Sequence, residues 1–326
     1  MATIKDVALK ADVSIATVSR VLNNRGSLSE KTKKLVFEAM KELDYQPNEI
    51  ARTLSKQRSK ILGVIIPSMT HPFYATLSSS IEHYAFERGY KLMICNSSFE
   101  TKKEQIYLEM LRRNMVDGIV VASHNSDNAE LFQNVNMPII SAEQILSTLI
   151  PAVVSDNYNG GYQATMHLIE RGCKKLAHVS GDLSLHLSSD ERYKAFVDAC
   201  KKHNVEHYIY EADEKMLIGL DYSVLVNRIM EEHPDVDGVF ASSDVIAMEV
   251  IKTFLIHGYK IPEQVKVVGF DDVYIGSLFY PEITSIKQDI DELGKTIVNN
   301  LLDLIDHKEI AMKTVVPVHF IERSTT

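Results

Sequence analysis

Two apolar stripes at helical spacing open the chain. The first consists of Ile4, Val7, Ala8 and Ala11, and the second of Val18, Val21 and Leu22. Thr3 and Asp6 have the spacing of a capping box, and Ser14 is placed to cap the second stripe by accepting from the backbone N–H of Thr17. Since only Ala11 to Ser14 joins the stripes, the pattern predicts a helix-turn-helix. A third stripe follows a candidate cap at Ser29 and completes a three-helix core: Leu35, Val36, Ala39, Met40 and Leu43.

From residue 61 onwards the period changes. Continuous apolar runs, typical of strands covered on both faces, alternate with helical stretches. The predicted strands are 61–67, 92–95, 118–122, 138–141, 152–155, 176–180, 208–210, 238–241, 265–269 and 314–321. The predicted helices are 73–88, 102–114, 128–134, 159–171, 190–203, 222–232, 244–257 and 290–305. This alternation predicts an α/β body of two parallel-sheet halves, with a ligand cleft where the carboxyl ends of their strands face each other.

The second helix of the N-terminal module has a face that suits DNA. Small side chains, hydroxyls and one guanidinium lie opposite its apolar stripe, at Ile15, Ala16, Thr17, Ser19 and Arg20. Such a surface can approach a DNA groove and its phosphates closely.

Charge is distributed unevenly along the chain. The whole protein has a net charge of −9, but residues 1–60 carry 12 Lys and Arg against 7 Asp and Glu. A basic module at one end supplies the electrostatic footprint for nucleic acid, whereas the acidic body is repelled from phosphate.

The motifs resemble those of the lactose/galactose repressor (LacI/GalR) family. The resemblance is carried by Ile4–Ala8, Val13-Ser14, Thr17–Asn23 and Gly269–Asp272. One departure is Asp12, where the family usually has Gly; Asp tolerates the left-handed conformation that this turn needs. The resemblance implies an all-α helix-turn-helix domain followed by a periplasmic-binding-protein-like domain of two Rossmann-like subdomains.

The resemblance also implies the domain boundaries. The DNA-binding domain spans 1–47, a hinge helix and linker span 48–60, and the effector domain spans 61–326. Within the last, one subdomain takes about 61–158 and 288–318, and the other about 159–287 and 319–326. These crossings between halves come from the family and not from the composition of the chain.

The short segment 48–55 is implied to be the hinge. It is too short to be a stable helix alone, and Leu54 stands where the family inserts an apolar side chain into the minor groove. An ordinary polar linker is the alternative on composition. The residues predicted to bind DNA are Thr3, Ser14, Ile15, Ala16, Thr17, Ser19, Arg20, Asn23, Asn48, Ala51, Arg52 and Leu54.

Candidate effector contacts follow the strand ends. They are Ser68, Phe73, Tyr74, His124, Asn125, Arg192, Asp244 and Asp271. Arg192 offers a planar fork for paired hydroxyls or a phosphate, and the Asp271 carboxylate accepts from vicinal hydroxyls. The alternatives are core positions for the aromatic pair, plain loops for the polar residues and a surface charge for the arginine. Position within the family motif favours the binding role.

Enzyme and metal functions lack their sequence signatures. No dinucleotide, P-loop, zincin or hydrolase motif occurs, and His203 and His207 have no third ligand nearby. The cysteines, Cys95, Cys173 and Cys200, are widely spaced, which argues against disulfides and zinc. No cofactor is therefore expected. The absence of a signal peptide or an apolar span predicts a cytoplasmic protein without membrane contact.

Together these features predict an effector-controlled repressor of carbohydrate genes. Its expected partners are a near-palindromic double-stranded operator, a second copy of the chain and a sugar or sugar phosphate of the sucrose type. The end of the chain at Thr326, without a leucine heptad tail, favours a dimer over a tetramer. The resemblance adds a phosphoprotein corepressor for some members. The alternative function is a sugar-binding sensor or enzyme that recognises no operator.

Overall fold

The computed structural model describes residues 2–22, 27–45, 58–123, 129–133 and 135–326. Contacts within the chain separate two compact units, Met1–Ser59 and Lys60–Thr326. Each unit has its own apolar core. Within the described residues, no helix is both long enough and apolar enough to span a bilayer.

The first unit contains three helices around a small core. They are α1 (Ile4–Lys10), α2 (Ile15–Leu22) and α3 (Glu30–Glu42). One fully buried valine from each helix, Val7, Val18 and Val36, meets at the centre. The predicted helix-turn-helix is confirmed, although Leu35 of the third stripe is exposed rather than buried.

The predicted caps of this unit are present. The Asp6 carboxylate accepts from the Thr3 backbone N–H at 2.7 Å, and Ser14 Oγ accepts from the Thr17 N–H at 3.1 Å. Ser29 Oγ accepts from the Thr32 N–H. Because these side chains satisfy N–H groups that a helix start leaves unpaired, they fix where the helices begin.

The second unit contains two six-stranded sheets. Their strands are β1 (Ile61–Ile66), β2 (Lys91–Asn96), β3 (Gly118–Val121), β4 (Ile139–Ala142), β5 (Ala152–Ser155), β6 (Lys175–Ser180), β7 (Glu206–Glu211), β8 (Gly238–Ala241), β9 (Lys266–Asp271), β10 (Thr284–Gln288), β11 (Lys313–Val316) and β12 (Val318–Ile321). The first sheet has the order β11-β5-β4-β3-β1-β2 and the second β12-β10-β9-β8-β6-β7. All pairings are parallel except β10 with β12.

Helices cover these sheets. They are α4 (Pro72–Glu87), α5 (Thr101–Arg113), α6 (Ala129–Gln133), α7 (Asn157–Glu170), α8 (Asp190–His203), α9 (Glu214–Gly219), α10 (Ser223–Glu232), α11 (Asp244–Ile256), α12 (Tyr274–Leu278) and α13 (Ile290–Ile305). The sequence analysis missed α9, α12 and β10, which are short elements without a clear period.

One predicted strand was wrong. Residues 314–321 form two strands and not one, because Pro317 interrupts the run. β11 pairs parallel with β5 in the first sheet, whereas β12 pairs antiparallel with β10 in the second. The chain also passes between the sheets after β5, where α7 packs on the second sheet, and after β10, where α13 packs on the first. The chain therefore crosses between the two halves three times: after β5, after β10 and between β11 and β12.

A buried histidine in the second half makes stability sensitive to acid. His178 on β6 is fully buried, its Nδ1 lies 2.8 Å from the Phe240 carbonyl oxygen, and Nε2 has no partner among the described residues. Burial lowers the pKa of His178 to about 3. The unfolded chain, with an ordinary histidine pKa of about 6.5, takes up the proton first, so stability is lost as pH falls from about 6.5 towards 3.

We expect His178→Phe to remove this part of the acid sensitivity. Between pH 7 and pH 5, the free energy of unfolding of the wild type should fall by about 2 kcal/mol more than that of the variant. Urea unfolding at both pH values measures the difference. His83→Asn, at an exposed site on α4, is the control and should follow the wild type. Equal pH dependence of wild type and His178→Phe would refute the assignment.

Candidate functional site in the cleft and on the second helix

The predicted DNA-binding face of α2 is on the surface of the first unit. Ser14, Ile15, Ala16 and Arg20 are exposed, and Thr17 and Ser19 are half-buried. Thr3 is exposed as well. Thr3 and Ser14 also take part in the caps of α1 and α2. The other predicted contacts lie outside the described residues: Asn23, Asn48, Ala51, Arg52 and Leu54.

A cavity of about 120 Å³ lies between the two sheets of the second unit, at the carboxyl ends of their strands. Its lining combines charged, amide, hydroxyl and aromatic side chains from both halves. The polar and aromatic members are His71, Phe73, Tyr74, Phe99, Ser123, Glu143, Gln144, Ser189, Arg192, Tyr222, Ser242, Ser243, Asp271 and Gln288. A few polar groups converging on a concave, partly aromatic space are typical of a small-molecule site.

Arg192 is the buried cation of the cavity. Nε donates to Asn157 Oδ1 at 2.7 Å, and Nη1 donates to the Ser242 carbonyl at 2.6 Å. The guanidinium lies 3.5 Å from the centre of the Phe270 ring, and Nη1 is 3.6 Å from Asp271 Oδ1. Nη2 has no hydrogen bond within the described part of the chain, so it is available to a bound molecule.

Asp271 faces Arg192 from the end of β9. Its Oδ1 accepts from Gln288 Nε2 at 2.6 Å, and its backbone φ is 107°, a region that L residues rarely adopt. Burial raises the pKa of Asp271 to about 7, although Arg192 acts in the opposite direction. A carboxyl group accepts hydrogen bonds from hydroxyls, and its protonated form, which burial favours here, can also donate one.

Glu143 approaches the cavity from the first sheet, after β4. Its Oε1 accepts from the backbone N–H and the Oγ of Ser155, at 2.7 and 2.9 Å. Burial raises the pKa of Glu143, while Arg192 lowers it. The cavity therefore holds one guanidinium between two carboxyl groups.

Two buried polar atoms in the lining have no partner among the described residues. They are His71 Nδ1 and Gln288 Oε1. Burial lowers the pKa of His71 to about 4, so the ring is neutral. Unpaired buried polar atoms are costly, and both of these belong to residues of the same cavity lining.

Four of the eight predicted effector contacts line the cavity: Phe73, Tyr74, Arg192 and Asp271. His124 and Asn125 lie outside the described residues. The remaining two, Ser68 and Asp244, do not line this cavity. Ser68 Oγ accepts from the backbone N–H groups of Thr70 and His71 and shapes the loop before α4. Asp244 is fully buried below the cavity, where it bonds the chain after Asp271.

Sequence reasoning missed most contacts from the first half. Glu143 and Gln144 follow β4, a position that a parallel sheet brings to the same edge as the loop before α4. Gln288 lies at the end of β10, a strand that was not predicted. Glu143 and Gln144 could have been predicted by treating the residues after every strand as candidate contacts. Gln288 has no sequence signal of its own.

Arg192 is positioned by a close helix–helix contact. A Cβ built on Gly161 of α7 would lie 2.7 Å from the Arg192 carbonyl oxygen and 2.8 Å from its Cα. Only glycine therefore allows α7 to approach the start of α8 so closely.

We expect Gly161→Ala to displace α8 and to destabilise the protein by about 1–3 kcal/mol, since backbone cannot move aside like a flexible side chain. The melting temperature should fall by several degrees. Gly219→Ala on α9, where a Cβ meets nothing within 4 Å, is the matched control and should not be destabilised. Equal melting temperatures for the two variants would contradict the packing argument.

Comparisons with known proteins agree with this architecture. Residues 3–48 match the model for bacterial regulatory proteins of the lacI family, and residues 165–326 match a periplasmic binding protein-like domain. The ribose operon repressor of Halalkalibacterium halodurans is 35% identical over 328 residues, covering 100% of this chain and 97% of that protein. The sucrose operon repressor of Streptococcus mutans is 36% identical, with 98% and 97% covered. The lac repressor dimer bound to operator and an anti-inducer superposes with a TM-score of 0.88 at 25% identity, covering 99% and 98%.

A helix-turn-helix unit joined to a two-sheet effector unit defines a DNA-binding transcriptional regulator whose second unit binds a small molecule. The chain belongs to the lacI family of bacterial regulatory proteins. Its relatives over the whole chain are operon repressors. This chain is likewise a transcriptional repressor and not an enzyme. The alternative of a sensor or enzyme without operator recognition is therefore wrong.

Proposed function

We propose that the protein represses a carbohydrate-utilisation operon in the cytoplasm and that an unphosphorylated sugar in the cavity controls its affinity for the operator. The observation that carries this proposal is the arrangement of Arg192, Asp271 and Gln288 around one cavity. Donors and acceptors at close range match the vicinal hydroxyls of a sugar, and the neighbouring aromatic rings offer apolar faces.

The charges favour a neutral sugar over a sugar phosphate. One guanidinium faces two carboxyl groups, Asp271 and Glu143, whose pKa values are already raised by burial. A phosphate would add two negative charges to this pair with a single cation in reach. A hydroxyl group brings no charge and can bond to all three side chains.

The size of the cavity favours a single ring. At about 120 Å³, the cavity is closer in size to one sugar ring than to two. We therefore propose a monosaccharide, in contrast to the sucrose-type ligand expected from the sequence.

Thermal-shift measurements on the full chain test the ligand class. The panel consists of D-ribose, D-xylose, sucrose, cellobiose, ribose 5-phosphate and adenine. A ligand at 100 times its Kd stabilises the folded state by about 2.7 kcal/mol. Stabilisation by D-ribose or D-xylose and not by ribose 5-phosphate is expected. Stabilisation by the phosphate ester or by adenine alone would refute the proposal.

Contacts of Gln144 and Lys60 support a coupling between the cleft and the helix-turn-helix unit, which we call the head. Gln144 of the first half reaches across to the segment before α8, where its Oε1 accepts from the Ser188 N–H at 2.7 Å and its Nε2 donates to the His186 carbonyl at 3.3 Å. Lys60 is the residue at which the second unit begins. Its backbone N–H donates to Asp117 at 3.0 Å, and its Nζ lies 4.1 Å from the centre of the Tyr90 ring. Lys60 is thus bonded to the first half of the second unit.

Movement of one half against the other consequently moves this attachment point. We propose that sugar binding changes the angle between the halves and, through Lys60, the ability of two heads to occupy a near-palindromic operator together. Coupling of about 1–3 kcal/mol, or about 5–150-fold in affinity, is typical of such linkage.

We propose that the operator-binding form is a homodimer. Three large side chains lie exposed within one short segment of the second half: Tyr274 at 69%, Leu278 at 76% and Tyr280 at 90%. Exposed aromatic and aliphatic side chains in one place are typical of protein–protein interfaces. The lac repressor structure that superposes over 99% of this chain is a dimer bound to its operator.

Leu278→Glu should shift the protein towards a monomer and weaken operator binding, because each half-site needs its own head. Analytical ultracentrifugation at micromolar concentration measures the first effect. Leu149→Glu, at a 72% exposed position of the first half, is the control and should stay dimeric. A dimeric Leu278→Glu variant would contradict the interface.

A phosphoprotein corepressor, which the family resemblance implies for some members, stays a prediction. Operator binding by the purified protein alone tests it. If the protein binds and responds to sugar without a second protein, no such partner is required.

A further inference from the structure

Asp244 begins α11 and lies directly after two residues of the cavity lining, Ser242 and Ser243, yet it is itself fully buried and does not line the cavity. A buried carboxyl at this point needs hydrogen-bond partners. Its partners show a role that differs from contact with the effector.

The Asp244 carboxyl ties down the chain that follows Asp271. Oδ2 accepts from the Val273 backbone N–H at 2.8 Å, and Oδ1 accepts from Ser285 Oγ at 2.6 Å. Ser285 Oγ in turn accepts from the Asp272 backbone N–H at 3.2 Å. Both amides after Asp271 are therefore bonded to Asp244, one directly and one through a serine.

The turn that these bonds hold is strained. Asp271 has a φ of 107° and Asp272 a φ of 55°, so two successive residues with side chains occupy the left-handed half of the backbone map. Such conformations persist only where the surroundings impose them. A third tie is the ion pair of Asp272 with Arg323 at 2.7 Å.

The Asp244 carboxyl packs directly against the backbone of Gly269 on β9. A Cβ on Gly269, two residues before Asp271, would collide with Asp244 Oδ1. The strand that carries Asp271 and the helix that begins with Asp244 are therefore in direct contact, so the position of one determines that of the other.

We propose that Asp244 is a positioning residue, which holds the strained Asp271–Asp272 turn so that the Asp271 carboxyl faces the sugar. The proposal rests on the proposed function, because it assigns Asp244 a part in sugar binding through Asp271. Without these bonds, the turn relaxes to negative φ and turns the Asp271 side chain away from Arg192 and Gln288.

Burial and the neighbouring Asp271 raise the pKa of Asp244 well above its ordinary value. The side chain therefore acts through its hydrogen bonds more than through a charge. Asp244→Asn, which keeps the shape, should lose less sugar affinity than Asp244→Ala.

A double-mutant cycle in the full-length protein tests the proposal. Sugar affinity is measured by isothermal titration calorimetry for wild type, Asp244→Ala, Asp271→Asn and the double variant, with D-ribose or the panel sugar that gives the largest thermal shift. We expect Asp244→Ala to weaken binding at least tenfold in the wild-type background. In the Asp271→Asn background the same change should weaken binding less than twofold, since the turn then no longer positions the Asp271 carboxyl that bonds the sugar.

Ser285→Ala provides a milder variant that folds more readily. It releases only the Asp272 amide and should weaken binding severalfold, again only when Asp271 is present. Asp237→Ala is the matched control, because its carboxylate also bonds two successive backbone N–H groups, those of Lys174 and Lys175, but at the opposite end of the sheet. It should lower the melting temperature and leave sugar affinity unchanged.

Unchanged affinity in Asp244→Ala and Ser285→Ala, or equal losses in both backgrounds, would overturn the positioning role. If the wild type itself binds no sugar of the panel, the proposed function fails and this inference fails with it. The two failures are distinguished by the wild-type titration.

Discussion

Deletion of residues 1–59 should abolish specific operator binding and leave sugar binding intact. The first unit holds the helix-turn-helix and the excess of positive charge, and the second has its own two sheets and apolar cores. Specific DNA binding typically exceeds non-specific binding by at least about 1,000-fold, so a loss of that order is expected. Fluorescence anisotropy with an operator selected by the full-length protein measures it, and sugar titration checks the remaining unit.

The full-length protein offers a finer version of this test. Arg20→Ala removes an exposed guanidinium from the face of α2 opposite its core, and a lost base or phosphate contact of this kind costs about 1–3 kcal/mol. Lys10→Ala removes the same charge from α1, where Lys10 pairs with Glu42 at 2.6 Å, and should have the smaller effect. Operator binding that survives the deletion, or equal effects of both substitutions, would place the DNA-binding face elsewhere.

Arg192→Lys should shift the response to sugar to higher sugar concentrations while sparing operator binding without sugar. Lysine keeps the positive charge between Asp271 and Glu143 but cannot reproduce the planar fork that bonds Asn157 and Ser242 and leaves Nη2 for the ligand. A hydrogen bond to a charged group contributes about 1.5–3 kcal/mol, which corresponds to a loss of about 10–100-fold in sugar affinity. Calorimetry measures the loss.

Arg192→Ala is the harsher companion. It leaves the two carboxyl groups without their cation, and breaking a buried pair typically costs about 3–5 kcal/mol of stability. Arg88→Lys, at a half-exposed arginine that ends α4, is the control for the arginine-to-lysine change. Wild-type sugar affinity in Arg192→Lys would remove Arg192 from the site.

Much of the fold could be predicted because its local signals agree. A few neighbouring residues determine the helix caps at Ser14 and Ser29. The same holds for the left-handed backbone of Asp12, whose φ is 51°. The strands at 61–66 and 118–121 are buried on both faces and read as continuous apolar runs. Pro317 was the misleading case, since a proline between two short apolar runs marks the passage from one sheet to the other.

The site was less predictable because it depends on long-range contacts. Arg192 and Asp271 were found through the family motif, whereas Gln288 and Glu143 reach the cavity only through sheet order. Asp244 shows the limit most clearly. An acid after a strand was expected to meet the effector, but the structure turns it inward to Val273 and Ser285. Which side of a strand end faces the cleft is decided by packing, and no local pattern reports it.

Operator titration of the wild type and Arg192→Lys, each with and without a saturating panel sugar, tests the central claim most directly. That claim is that occupancy of the cavity changes operator affinity. The account predicts a change of about 5–150-fold in the wild type and the same change in Arg192→Lys only at about 10–100-fold higher sugar concentration, with both proteins equal in the absence of sugar. The claim would be contradicted if calorimetry shows that a sugar binds to the wild type and the operator affinity is the same with and without that sugar.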